Sequence, residues 1–188
     1  MLFKFKKPSK DLSSIADQLF ESLSVLRLTF YTALPISLRL KQEGQVQNLE
    51  VNANSNFQDN IELTCILLGF QLTSTIGFIF KQGYHNNAGE VMNFEDRIIV
   101  KSFANNNISI NRCKLYKDKY LDCQGNIDCI ESIVTEDILK TLNLTNIPDC
   151  FNTIKGTIRP FGIWSQAALA ECFGDLNTSI KLKKLTIS

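Results

Sequence analysis

The sequence lacks the short motifs by which most catalytic and cofactor sites are recognised. Its 188 residues include one histidine, His85, and no Cys-x-x-Cys pair, so the usual ligand spacing of a zinc site is absent. No G-x-x-x-x-G-K-[ST] or G-x-G-x-x-G loop occurs, which removes the common phosphate-binding signatures. We therefore predict no metal and no cofactor, and the sequence favours a protein that is not an enzyme.

An excess of charge of either sign is also missing. Lys and Arg total 20 and Asp and Glu total 19, so the net charge is +1 and nucleic-acid binding is not favoured. The basic start, residues 1–8, is not followed directly by the apolar segment that a secretory signal requires. We predict a cytoplasmic protein with a single domain over residues 1–188, in which residues 1–8 form a flexible arm.

Apolar residues, in contrast, are abundant, at 44% of the chain with 13 phenylalanines. The longest apolar run is residues 60–82. Within residues 64–80 the large side chains fall on even positions, which is the alternation of a strand with one apolar face. A helical period also fits the run, and its length approaches that of a membrane span, although Glu62 and Gln71 lie inside it. The β-branched and aromatic residues favour strands, with a reversal at Thr73-Ser74-Thr75.

Before this run, the hydrophobic period changes from helical to extended. A repeat of three and four predicts an amphipathic helix over residues 9–24. From Leu26 to Leu40 the period is two, which predicts extended chain interrupted at Pro35; the alternative continues the helix to Leu34. Further strands are predicted for residues 36–42, 46–53, 97–103, 108–115 and 179–187.

These elements together predict an α+β fold. An antiparallel sheet, from about residue 25 to 123, would pack against the N-terminal helix and a helical C-terminal third. In that third, helices are predicted within residues 126–143 and 163–173, the second one capped by Gly174. The alternative fold is a mostly α-helical bundle.

The segment from Cys113 to Cys123 is nearly palindromic, which predicts a hairpin centred on Asp118. Tyr116 would then face Tyr120, and the two cysteines would face each other at its base. The cysteines would form a disulfide in an oxidising compartment or remain two buried thiols in a reducing one. The two tyrosines would offer an exposed recognition patch or would simply stabilise the hairpin.

Phe161 and Trp164 are the aromatic residues that we select as possible anchors of a protein interface, the alternative being that they pack a helix on the core. The predicted function is a non-catalytic interaction or assembly subunit that binds a protein partner, either itself or another protein. One alternative is a carrier or sensor that holds an apolar small molecule or lipid against the even-numbered face of residues 64–80. Another is a membrane-associated protein.

Overall fold

The structure, a computed structural model, describes residues 11–43, 57–84, 86–104, 106 and 108–186, and these residues contain helices and no strands. A short 3₁₀ turn, Phe57–Asp59, precedes the second helix, and a π-helical turn, Phe80–Tyr84, follows it. The α-helices of the described residues are α1 Leu12–Glu43, α2 Ile61–Ile79, α3 Ala88–Phe103, α4 Ile110–Leu121, α5 Ile127–Thr141, α6 Cys150–Cys172 and α7 Leu176–Lys184.

The predicted antiparallel sheet is therefore wrong, and the alternative of a helical bundle is confirmed. The predicted strands 36–42 and 97–103 belong to α1 and α3, and most of 108–115 and of 179–187 belongs to α4 and α7. The helix predicted within 126–143 is present as α5, and the one predicted over 163–173 is the second half of α6; Gly174, with a φ of 78°, follows its end. The predicted strand 46–53, the arm 1–8 and His85 lie outside the described residues.

Helix α2 lies at the centre of the bundle and packs against α4, α5 and α6. A helix buried on all sides has no polar face, so its sequence loses the helical period. Cys65, Gly69 and Thr73 are spaced four residues apart and form one face of α2, against which α4 packs closely. Such close packing requires small residues, and this is why small residues occupy these odd-numbered positions. A Cβ on Gly69 would lie 2.6 Å from the Cβ of Tyr116 on α4. The alternation of these small residues with large ones therefore resembled a strand that has one face of large side chains and one face of small ones.

Helix α1 continues without a break through the segment predicted to be extended. Its buried residues Leu23, Phe30, Leu34 and Leu38 follow helical spacing. Pro35 lies inside the helix and removes one N–H donor without ending it, so both the extended chain and the helix end before Pro35 are wrong.

The buried apolar residues form two clusters that meet at Leu26 and Tyr116. One cluster joins the first half of α1 to α3 and the end of α6. The other joins the second half of α1 to α5 and the start of α6, and α2 contributes to both. The division of the whole chain into domains stays a prediction.

The segment Ile61–Tyr84 is long and apolar enough to cross a membrane. In this fold, 72% of its most apolar window is buried inside the protein. A core helix and a membrane span share this length and composition, so membrane association stays a prediction.

Candidate functional sites

An arginine lies in the interior of the bundle, between α1, α2 and α3. Arg27 is 6% exposed. Its Nη1 donates to Oε1 of Gln71 at 2.7 Å, and its Nη2 donates to the hydroxyl oxygens of Ser24 at 3.1 Å and Ser102 at 3.3 Å. The guanidinium is thus held by three acceptors, and all three are electrically neutral.

Gln71 is the buried amide that fixes this arginine. Its Oε1 accepts from Arg27, while its Nε2 donates to the hydroxyl of Ser165 at 3.1 Å and to the carbonyl of Leu23 at 3.4 Å. Because both ends of the amide have partners, its orientation is determined by the network. The network connects α1, α2, α3 and α6.

No carboxylate pairs with Arg27 within the part of the chain that the structure describes. Burial lowers the pKa of Arg27, and the neighbouring Tyr31 and Cys113 oppose that shift. Arginine nevertheless remains protonated in proteins. The fold therefore holds a positive charge in its interior without an ionic partner among the described residues, an arrangement that is costly unless another group compensates it.

A cavity of about 410 Å³ opens beside this guanidinium, and we call it the Arg27 pocket. Its polar wall includes the hydroxyls of Tyr31 and Thr64, whose oxygens lie 2.6 Å apart. Its rim includes the exposed residues Gln58 and Asp59. The volume falls within the range of about 300–1,000 Å³ that is common for small-molecule sites.

A second concave surface lies between α1 and α6. It consists of two adjoining depressions of about 330 Å³ and 320 Å³, which share Leu26 and Trp164, and we call the pair the Trp164 groove. Phe161 and Pro160 line one depression. Lys183 lines the other, and its ammonium lies 5.2 Å from the centre of the Trp164 ring. A half-buried aromatic side chain thus stands in the middle of an open groove.

An exposed apolar row on α1 borders the Trp164 groove. Val25, Leu28 and Ile36 are 61%, 47% and 56% exposed and share one face of the helix, and we call them the α1 stripe. Between them, the hydroxyls of Thr29 and Thr32 donate to carbonyls of the preceding turn. Val25 also lines the groove, so stripe and groove form one continuous surface.

The structure places the predicted interface residues in different environments. Trp164 is half-buried and accessible, whereas Phe161 is buried against Phe30, with ring centres 5.2 Å apart. Tyr116 and Tyr120 lie one turn apart on α4, with ring centres at 6.0 Å. Tyr120 is fully buried and Tyr116 donates to Glu62, so the two do not form an exposed patch.

The structure does not bring Cys113 and Cys123 together. The predicted hairpin is wrong because residues 113–121 belong to α4, and eight residues of helix alone separate two positions by about 12 Å. Cys113 instead contacts Cys65, Cys123 contacts Cys129, and none of the six cysteines forms a disulfide. Cys65 and Cys113 thus meet between α2 and α4, whereas Cys123 and Cys129 lie on either side of the start of α5.

These positions predict the order in which the thiols react. Burial and contact with Cys129 raise the pKa of Cys123 to about 11, and Cys65 and Cys113 are fully buried. Since the thiolate is the reactive form, iodoacetamide should modify the partly exposed Cys129 first, and Cys65 and Cys113 only after unfolding. Peptide mass spectrometry along a labelling time course measures this order. Labelling of Cys113 as fast as Cys129 in the folded protein would contradict it.

Arg27 and Gln71 are the residues that the sequence analysis missed. Arg27 lies within the segment from Leu26 to Leu40 that was predicted to be extended and was not singled out there, and Gln71 had served only as an argument against a membrane span. The available signal was that each is a long polar residue inside an apolar segment, where burial is costly without a partner. No family model, curated protein or solved structure matches the chain.

Proposed function

We propose that the protein is a non-catalytic assembly subunit that binds a second copy of itself through the Trp164 groove and the α1 stripe. The observation that supports this proposal is that the projecting α1 stripe and the recessed Trp164 groove lie side by side on one surface. An interface around a two-fold axis uses the same patch on both molecules, so that patch needs both a projection and a recess.

The composition of this surface suits an interface. Trp164 is a type of residue that often provides a large part of the binding energy when a partner excludes water from it. The interface would remove apolar surface of Val25, Leu28 and Ile36 from water. Each Å² removed stabilises the dimer by about 25 cal/mol. A specific interface buries about 800 Å² on each partner, so the groove walls must contribute along with the stripe.

The other predicted functions gain less support. The even-numbered face of residues 64–80, suggested as the lining of an apolar cavity, is packed inside the bundle against neighbouring helices. We also propose a reducing, cytoplasmic location, which suits six cysteines that form no disulfide.

The mass of the full chain in solution tests self-association. The chain has a mass of 21.3 kDa, and sedimentation equilibrium from about 1 to 200 µM should show a dimer that forms with rising concentration. Dilution should also shift the emission of Trp164, the single tryptophan, as water enters the groove. A protein that stays monomeric at every concentration would overturn the proposal.

Matched substitutions locate the interface. The double change Val25→Lys with Ile36→Lys places charge on the stripe without touching the core, so it should weaken dimerisation at least about tenfold. The control is Leu115→Lys, which changes a more exposed residue on α4 and should leave the dimer intact. A dimer that survives the double change would show that it forms through a different surface.

A further inference from the structure

The Arg27 pocket has a second potential role, and it adjoins the assembly surface at Leu28, which belongs to both. We infer that it binds a small monocarboxylate with a short apolar body. Three features of the described residues lead to this class of ligand: a buried cation, a surplus of hydrogen-bond donors and apolar walls beside them.

The buried cation is the first feature. A guanidinium that is 94% removed from solvent and held only by an amide and two hydroxyls is compensated when an anion enters beside it. Of its five N–H groups, three donate to Gln71, Ser24 and Ser102. The remaining two have no acceptor within the described residues, and charge-assisted bonds from such groups are among the strong ones.

The hydroxyls that hold the guanidinium supply further donors to the same ligand. Ser24 and Ser102 line the pocket, and each accepts a hydrogen bond from the guanidinium. Each also carries a hydrogen of its own, for which the described residues provide no acceptor. A carboxylate, which accepts several hydrogen bonds, can therefore meet donors from both α1 and α3. The hydroxyl hydrogens of Tyr31 and Thr64 are already used, because Tyr31 donates to Thr64 and Thr64 donates to the carbonyl of Asn60.

The charge balance favours a single negative charge. Arg27 is the only cationic side chain among the described lining residues. A dianionic phosphate would thus be left with uncompensated charge, whereas one carboxylate matches one guanidinium.

The opposite walls are apolar and would contact the rest of the ligand. Leu28, Ile61, Phe103 and Ile108 line this side of the pocket. Small-molecule sites commonly combine such walls with a few polar groups that fix the orientation. The walls therefore favour a carboxylate with a short alkyl or aromatic group over a fully polar acid.

Titration of the full chain with defined probes tests the inference. Hexanoate and benzoate should bind saturably, with dissociation constants below about 1 mM, and should shift the Nε–H signal of Arg27 in ¹H–¹⁵N spectra. Only five arginines contribute such signals. Hexanamide, which has the same shape without the charge, should bind at least about tenfold more weakly. Equal binding of the amide, or no saturable binding of either acid, would overturn the inference.

Variants and a phosphate titration separate the remaining explanations. Arg27→Met should weaken hexanoate binding at least about tenfold, and Gln58→Lys, which adds a cation at an exposed position of the rim, should tighten it about two- to fivefold at low salt. Gln58→Lys keeps the test valid if Arg27→Met does not fold, and a Gln58→Lys variant that binds no tighter than the wild type would contradict the inference. Phosphate that binds as tightly as hexanoate would overturn the carboxylate class.

Discussion

Replacing Lys117 with methionine should lower the free energy of unfolding by about 3–5 kcal/mol. The ammonium of Lys117 on α4 lies 2.9 Å from Oε2 of Glu95 on α3, and Glu95 is 3% exposed. Burial alone would lower the pKa of Lys117, but hydrogen bonds to Glu95 and Asp118 outweigh it, so the pKa is raised and the lysine stays charged. Removing it leaves a buried carboxylate without its cation, which is costly. Urea denaturation at neutral pH measures the loss.

A second variant separates the missing charge from the altered side-chain shape. Adding Glu95→Gln to Lys117→Met removes the orphaned charge, and it should restore most of the lost stability. As a matched control, Lys140→Met removes an exposed ion pair with Glu136 and should change the free energy of unfolding by no more than about 0.5 kcal/mol. If the double variant were as unstable as the single one, the loss would come from packing instead.

Glycine to alanine changes at two positions of α2 should have opposite effects. At Gly69, the new methyl group would lie 2.6 Å from the Cβ of Tyr116 and 3.0 Å from the backbone nitrogen of Lys117. Because a backbone atom cannot rotate away, α4 must shift, and we expect a loss of about 1–3 kcal/mol. At Gly77 nothing lies within 4 Å, so alanine should stabilise the protein by about 0.5–1 kcal/mol through its helix propensity.

Thermal and chemical denaturation of the two alanine variants checks this pair of predictions. The two variants carry the same chemical change in the same helix, so a difference between their stabilities comes from what surrounds the added methyl group. If both variants gained stability, α4 would not pack as closely on α2 as the structure shows. If both lost stability, Gly77 would have a constraint other than its open surroundings.

Local signals predicted the start of α1, α5 and the second half of α6, whereas α3, α4 and α7, which also face water on one side, contain segments that were predicted as strands. The start of α1 has a clear polar face, Asn126 caps the start of α5, and Gly174 follows the end of α6. Helix α6 begins at Cys150, before the predicted start at residue 163, because it continues through Pro160. The signals that predicted these helices lie within each segment, so they can be recognised without knowing which helices pack against it. Trp164 was selected from local composition as an interface anchor; it lines the Trp164 groove, and its role as an anchor stays a prediction.

The sequence failed where burial or exposure departs from the pattern of a surface helix. Helix α2 is surrounded, so no polar stripe marks its period. In α1, the exposed Leu28 and Ile36 resemble core residues and created a false period of two. The Arg27 pocket was beyond local inference because its groups come from α1, α2 and α3, whose packing is known only once the bundle is assembled.

The central position of α2 has a consequence for the protein during its synthesis. Three of the helices that enclose it, α4, α5 and α6, follow it in the chain, and the last of them ends at Cys172, about 90 residues after Tyr84. At about 5–20 residues per second, their synthesis takes roughly 5–20 s. For that time the nascent chain presents an apolar helix of membrane-spanning length to ribosome-associated chaperones and to the membrane-insertion machinery, before its own partners exist.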